Sequence, residues 1–332
     1  LQFVKPKLGK RPEWIDDAKT DFFPIKDLIR QIRGSNTDAK RRSCISRFQT
    51  EYIATLKSYY EKGANSERQY ELFLNTKIIR DIFLDFVEVI SETECNYAEV
   101  LADYFETMYN QLTCIKTFEP KAGSASDDDL DVFRNLMWEL FICVIVFMRH
   151  TKDYSAINTM LTHTYFLETT IFGGAIKQNN YTAFRHHSRV VEERYKPSTD
   201  MKNKFTLMGD TICNQREKLP IFTSEAIAEA DLFLYQVCNA YELAEGENSW
   251  CESYWFPTCY VYAKNAPIEW MKMKSRQYCQ KMMVLFGVSS LEELKSVVGK
   301  CVYNREMKYS GSWDAAPAIL SYVKVEEIGT LN

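Results

Sequence analysis

The sequence predicts an all-α protein: a multi-helix bundle or irregular helical solenoid, divisible into two lobes. Three observations lead there. Only 12 Gly and 9 Pro occur in 332 residues, well under the average usage of about 7% and 5%. In their place run long stretches with apolar residues spaced by threes and fours, rich in the 20 Tyr and 20 Phe of the chain. Glycine-dependent motifs are missing too: no Gly-x-Gly-x-x-Gly, Walker loop or Gly-x-Ser-x-Gly occurs, and no His-Glu-x-x-His either. Mononucleotide folds and phosphate cradles use glycine where backbone turns sharply or approaches a ligand. Most enzyme classes with a readable signature are therefore excluded.

Residues 1–23 read as an irregular arm containing Pro6, Pro12 and Trp14. Pro24, pre-organised for a first helical turn, opens a short helix to Gly34. A second helix, about 36–62, buries Ile45, Phe48, Tyr52 and Leu56 and stops at Lys62-Gly63. Ser66 is expected to cap a helix to about Ser91, and a fourth follows over about 95–118. The clearest linker spans 119–127, between an N-terminal lobe (1–118) and a C-terminal lobe (128–332). Asp127, Asp128 and Asp129 then precede the most apolar helix, about 128–149. Their spacing does not match an EF-hand, and Ser126 as N-cap with acids in the first turn accounts for them through the helix dipole. Further helices are expected at about 153–170, 198–217, 225–242, 258–264 and 267–286. A capping box at Ser290 and Glu293 starts a last short one, and 318–328 reads as a helix or a single strand.

The net charge of −4 is unevenly distributed. Residues 1–62 carry 14 Lys and Arg against 8 Asp and Glu, whereas residues 63–150 carry 7 against 16. A basic segment packing on an acidic one explains this most simply. Nucleic-acid binding through Arg30, Arg33, Lys40, Arg41, Arg42 and Arg47 is the sharper alternative. Ten cysteines are scattered without a Cys-x-x-Cys pair, the pattern of buried reduced thiols and of a cytoplasmic chain. The opening Leu1 to Lys7 has no initiator Met and no apolar leader, which suggests a domain cut from a longer protein. No transmembrane helix, metal or cofactor is expected.

Three side-chain groups carry chemistry. Arg185, His186, His187 and Arg189 form the most polar cluster, a candidate anion site or source of a catalytic base, with a solvated basic face as the plainer reading. Glu225, Glu229 and Asp231 are carboxylates at one helix start; no Glu-x-x-His completes a di-iron set, and Asp231 lies deeper in an apolar stretch. Trp250, Tyr254, Trp255, Phe256 and Tyr260 make the densest aromatic patch, a candidate partner-binding surface. Two segments, Tyr154 to Phe166 and Glu229 to Tyr235, resemble helical accessory regions of bacterial multidomain proteins of defence or signalling type. The resemblance implies a sensing or scaffolding role, with an enzymatic domain elsewhere. The expected function is a non-enzymatic helical interaction or regulatory domain that binds a protein partner or the rest of a larger polypeptide, with no membrane partner. Nucleic-acid binding is the first alternative. An enzyme with an unfamiliar helical site at His186, His187 or Asp231 is the second.

Overall fold

The structure, a computed structural model, describes residues 22–118, 126–168, 172–216, 219–241, 255–263, 265–301 and 315–332. The fold is all-α, with one two-stranded sheet among the described residues. No helix of these residues is long and apolar enough to cross a membrane. The chain divides into two compact units. The first holds residues 1–144, 163–179 and 186–199, and the second holds 145–162, 180–185 and 200–332. Residues 119–125 of the expected linker at 119–127 lie outside the described ones.

The first unit is built from α1 (Phe23–Arg33), α2 (Asp38–Lys57), α3 (Ser66–Asn75), α4 (Lys77–Thr93), α5 (Tyr97–Leu112) and most of α6 (Asp131–Thr151). Its core is aromatic. Phe48 and Phe86 stack at 4.1 Å, Phe83 meets Phe105 edge-on, and Phe105 meets Phe141 at 5.2 Å, all without solvent exposure. α6 is buried nearly all round, as its unbroken apolar run requires. Within that core Glu139 accepts from Arg80 at 3.0 Å, and Arg80 also donates to Asp81 at 2.9 and 2.7 Å, so the buried guanidinium is paired on two sides.

Ser126 starts this region as expected. Its hydroxyl accepts from the Asp128 amide, while its own amide donates to Asp129 at 3.0 Å. The helix expected from 66 to 91 breaks at Thr76, whose amide and hydroxyl both turn back to the Phe73 carbonyl. The cap of α3 is Asn65 rather than Ser66. α2 stops at Lys57, five residues before the expected Lys62-Gly63 signal.

The helix expected over 153–170 is half wrong. α7 (Tyr154–Thr162) ends early, and β1 (Tyr165–Glu168) pairs antiparallel with β2 (Ile176–Asn179), with Tyr165 opposite Asn179. Tyr165 and Leu167 are buried and alternate with exposed Phe166, a period of two. α5 completes the pairing on the other edge of β1. Asn110 donates to the Phe166 carbonyl and accepts from the Glu168 amide, both at 2.9 Å, and Glu106 accepts from the Phe166 amide at 2.7 Å. Two helical side chains thus replace a third strand.

The second unit holds the last turns of α6, α7, α8 (Leu207–Asp210), α9 (Ser224–Ala240), α10 (Ile268–Lys272), α11 (Arg276–Phe286) and α12 (Leu291–Gly299). The helix expected at 198–217 is instead a short 3₁₀ turn, the single turn of α8 and a π-helical turn over Thr211–Gln215. Trp270 anchors the core between Phe233, stacked at 5.1 Å, and Phe286, and its indole N–H donates to Gln236 at 2.5 Å. Residues 258–264 form only a 3₁₀ turn at Tyr260–Tyr262, and 318–328 holds two more in place of a helix or strand.

The helix expected over 267–286 is split into α10 and α11. Its carbonyls are taken from outside. Gly329 donates to the Met273 carbonyl at 2.9 Å, Leu331 donates to Lys274 at 2.8 Å, and Arg276 donates to the Leu331 carbonyl at 2.7 Å. Ser275 then caps α11 by accepting from the Tyr278 amide.

Candidate functional site

The residues of the histidine cluster turn to three different partners. His186 Nε2 lies 2.6 Å from Asp131 Oδ1, the Ser188 hydroxyl donates to the other carboxylate oxygen, and Asn135 donates there at 2.9 Å. Burial alone would raise the Asp131 pKa; the His186 charge and the hydrogen bonds from His186 and Ser188 outweigh it and hold the carboxyl below its ordinary range. This order is wrong for a nucleophilic triad, in which the imidazole stands between hydroxyl and carboxylate. Here the carboxylate stands between them, and the Ser188 oxygen also caps the Val191 amide at 3.1 Å. His187 and Arg189 face Glu193 at 3.9 and 3.5 Å. The Arg185 guanidinium lies 5.5 Å from the Phe256 ring centroid, in the second unit.

Asp231 is fully buried and accepts from the Trp255 indole at 2.8 Å and the Cys259 amide at 2.6 Å. Burial pushes its carboxyl up to about 7, against those hydrogen bonds and the Arg185 charge. Trp255 is thereby a core residue, while Phe256 and Tyr260 are half-buried; Trp250 and Tyr254 lie outside the described residues. Glu225 and Glu229 go separate ways, Glu225 to Asn265 and Glu229 to Arg149 at 3.3 Å, which also clasps Glu269. Among the described residues no group of three or more His, Cys, Asp or Glu is placed to hold a metal.

The basic residues of α1 and α2 do not form one stripe. Arg41 donates to the Thr93 carbonyl at 2.7 Å and pairs with Asp38 and Glu94, Arg33 faces Glu92 at 3.7 Å, and Arg30 lies over Phe23. Lys40, Arg42 and Arg47 remain exposed. Lys40 and Arg47, seven apart, share a face of α2, and Arg42 lies across the helix from them.

A site of a different kind sits where α10 passes into α11. A cavity of about 420 Å³ is lined there by Lys272, Lys274 and Lys281, with Tyr278 at its wall and Met271 and Leu331 at its edge. Lys272 and Lys281, from two different helices, each place Nζ 5.7 Å from the centroid of the same Tyr278 ring. Neither has a carboxylate within 4 Å among the described residues, and no Asp or Glu lines the cavity. Lys274 shares its charge with Glu327 at 3.0 Å. The Tyr278 hydroxyl is fixed by the Tyr154 hydroxyl at 2.6 Å, and burial raises its pKa, so the ring stays a neutral phenol.

The sequence reading did not single out these lysines. One signal was present: from Trp270 to Leu291 there are four Lys and Arg and no Asp or Glu. Comparison with known proteins supplies no parallel, for no family model, no curated protein and no solved structure matches the chain.

Proposed function

We propose that this chain is a non-enzymatic helical interaction module of regulatory type, which recognises an anionic ligand or partner group in the cavity between α10 and α11. One observation carries it: three lysines line one concave site, and two of them, from different helices, place their ammonium groups at equal distance from one tyrosine ring. Like charges repel, and the Tyr278 ring draws each ammonium group in by cation–π attraction; an anion between them turns the remaining repulsion into attraction. The lining offers groups that hold, with neither imidazole nor carboxylate to take a proton. The other chemistry-bearing clusters are engaged in packing: Asp131 with His186, Arg149 with Glu269, Asp231 with Trp255.

Titration calorimetry with pyrophosphate tests the proposal. Binding is expected at low salt, weakened by about tenfold or more between roughly 0.05 and 0.5 M NaCl, and lost in the Lys272→Gln/Lys281→Gln double variant. Both lysines are exposed, so the variant keeps its helical circular dichroism. Absence of binding, or binding that the double substitution leaves intact, overturns the assignment.

A further inference from the structure

We infer that the group recognised in this cavity is the dianion of a phosphate monoester with an apolar or aromatic alcohol part, an inference that rests on the anion-binding function proposed above. The charge balance of the site points to it. Among the described residues neither Lys272 nor Lys281 has a carboxylate within ion-pair distance, Lys274 is shared with Glu327, and Glu269, whose charge reaches Lys272, is already held by Arg149. A carboxylate ligand would neutralise one of the two ammonium groups and leave the other facing it. A phosphate monoester carries a charge of about −1.5 to −2 at neutral pH and three terminal oxygens that accept. Ammonium groups only donate, so the complement must be made of acceptors. Both lysines line the same cavity on four-carbon stems, which are flexible enough to close on a single tetrahedral anion.

The remainder of the site sets the alcohol part. Met271 and Leu331 are more than half exposed at the cavity edge, and the Tyr278 ring forms its wall. Apolar side chains exposed beside a concave cationic site favour an apolar group on the ligand over a sugar. The cavity, about 420 Å³, exceeds what a bare inorganic anion fills and suits a phosphorylated phenol or aliphatic alcohol. A free ester and a phosphorylated side chain of a partner protein present the same chemistry.

The experiment is titration of the full chain with phenyl phosphate and, as its monoanionic counterpart, benzoate, at two pH values. Phenyl phosphate is expected to bind at least about tenfold more tightly than benzoate at pH 7.5. Its affinity falls about tenfold by pH 5, because its second proton binds near pH 6 while the lysines stay charged. Benzoate, already a monoanion at both values, shows no such fall. Lys272→Gln and Lys281→Gln each abolish the preference, and Lys202→Gln, an exposed lysine elsewhere in the second unit, leaves it unchanged. Equal, pH-independent affinity for the two probes overturns the dianion while leaving an anion site in place; binding of neither overturns the site as well. A phosphotyrosine peptide that binds more tightly than phenyl phosphate, with its unphosphorylated form silent, identifies the source as a partner protein. A peptide that binds more weakly identifies a free ester.

Discussion

At the scale of single residues, Asp231 shows most clearly what burial does to a side chain. It holds the Trp255 indole and the Cys259 amide to α9, with the Arg185 charge and the Cys259 thiol as its other titratable neighbours. Its carboxyl is raised by burial to about 7, against an ordinary value near 4 in the unfolded chain. Between those values the native state binds more protons than the unfolded one, so stability falls as pH rises from about 4 to 7 and levels off above. The contribution is on the order of 4 kcal/mol across that interval. Urea denaturation at several pH values should show this slope in the wild type and its loss in Asp231→Asn; parallel profiles would mean that Asp231 is ionised throughout. The position of Asp231 inside an apolar stretch was visible in the sequence. Its partners, 24 and 28 residues away, were not.

At the scale of elements, the ends of the last helices rest on two glycines in left-handed backbone, for different reasons. Gly287 closes α11 at φ +62°, with its amide donating to Val284 and the Val288 amide to Met283. A Cβ there would meet only the Asn158 amide nitrogen at 3.6 Å, an ordinary contact. Gly287→Ala therefore costs about 1 kcal/mol, the conformational penalty alone. Gly329 at φ +69° would place a Cβ 2.9 Å from a Leu291 methyl, and its amide ties the C-terminal segment to Met273. Gly329→Ala adds a packing penalty to the conformational one, about 2 kcal/mol or more in all. Denaturation midpoints of the two variants check the order, and a larger loss for Gly287→Ala would reverse this account. Capping motifs were legible at this scale: Ser126, Ser290 and the Pro24 helix start all act near where the sequence put them. The break between α10 and α11 was not, because the residues that take the carbonyls come from 329–331.

At the scale of the whole molecule, cysteine burial offers a direct check on both cores. Of the nine cysteines among the described residues, all unpaired, Cys95 alone is exposed. Brief treatment of the native protein with iodoacetamide should alkylate Cys95 and spare the other eight, and all nine should react in denaturant. Peptide mass spectrometry reads the outcome; rapid native labelling of Cys143 or Cys213, both fully buried, would contradict the packing described.

The sequence by itself determined the helical class, because glycine scarcity and the spacing of apolar residues act locally and every turn of helix repeats them. It also determined the buried character of most cysteines and the cap at Ser126, though Asp127 and Asp128 are taken by Arg134 and Arg194 and Asp129 also accepts from the Gly63 amide. Tertiary structure alone decided which charges are spent inside the fold. His186, Arg41 and Glu229 read as free in the chain, and each is taken by a partner 50 or more residues away. Lys272 and Lys281 lie on either side of the break between α10 and α11, where residues 329 and 331 take the backbone groups of Met273, Lys274 and Arg276. A charge's partner is set by contacts distant along the chain, and no local period records those.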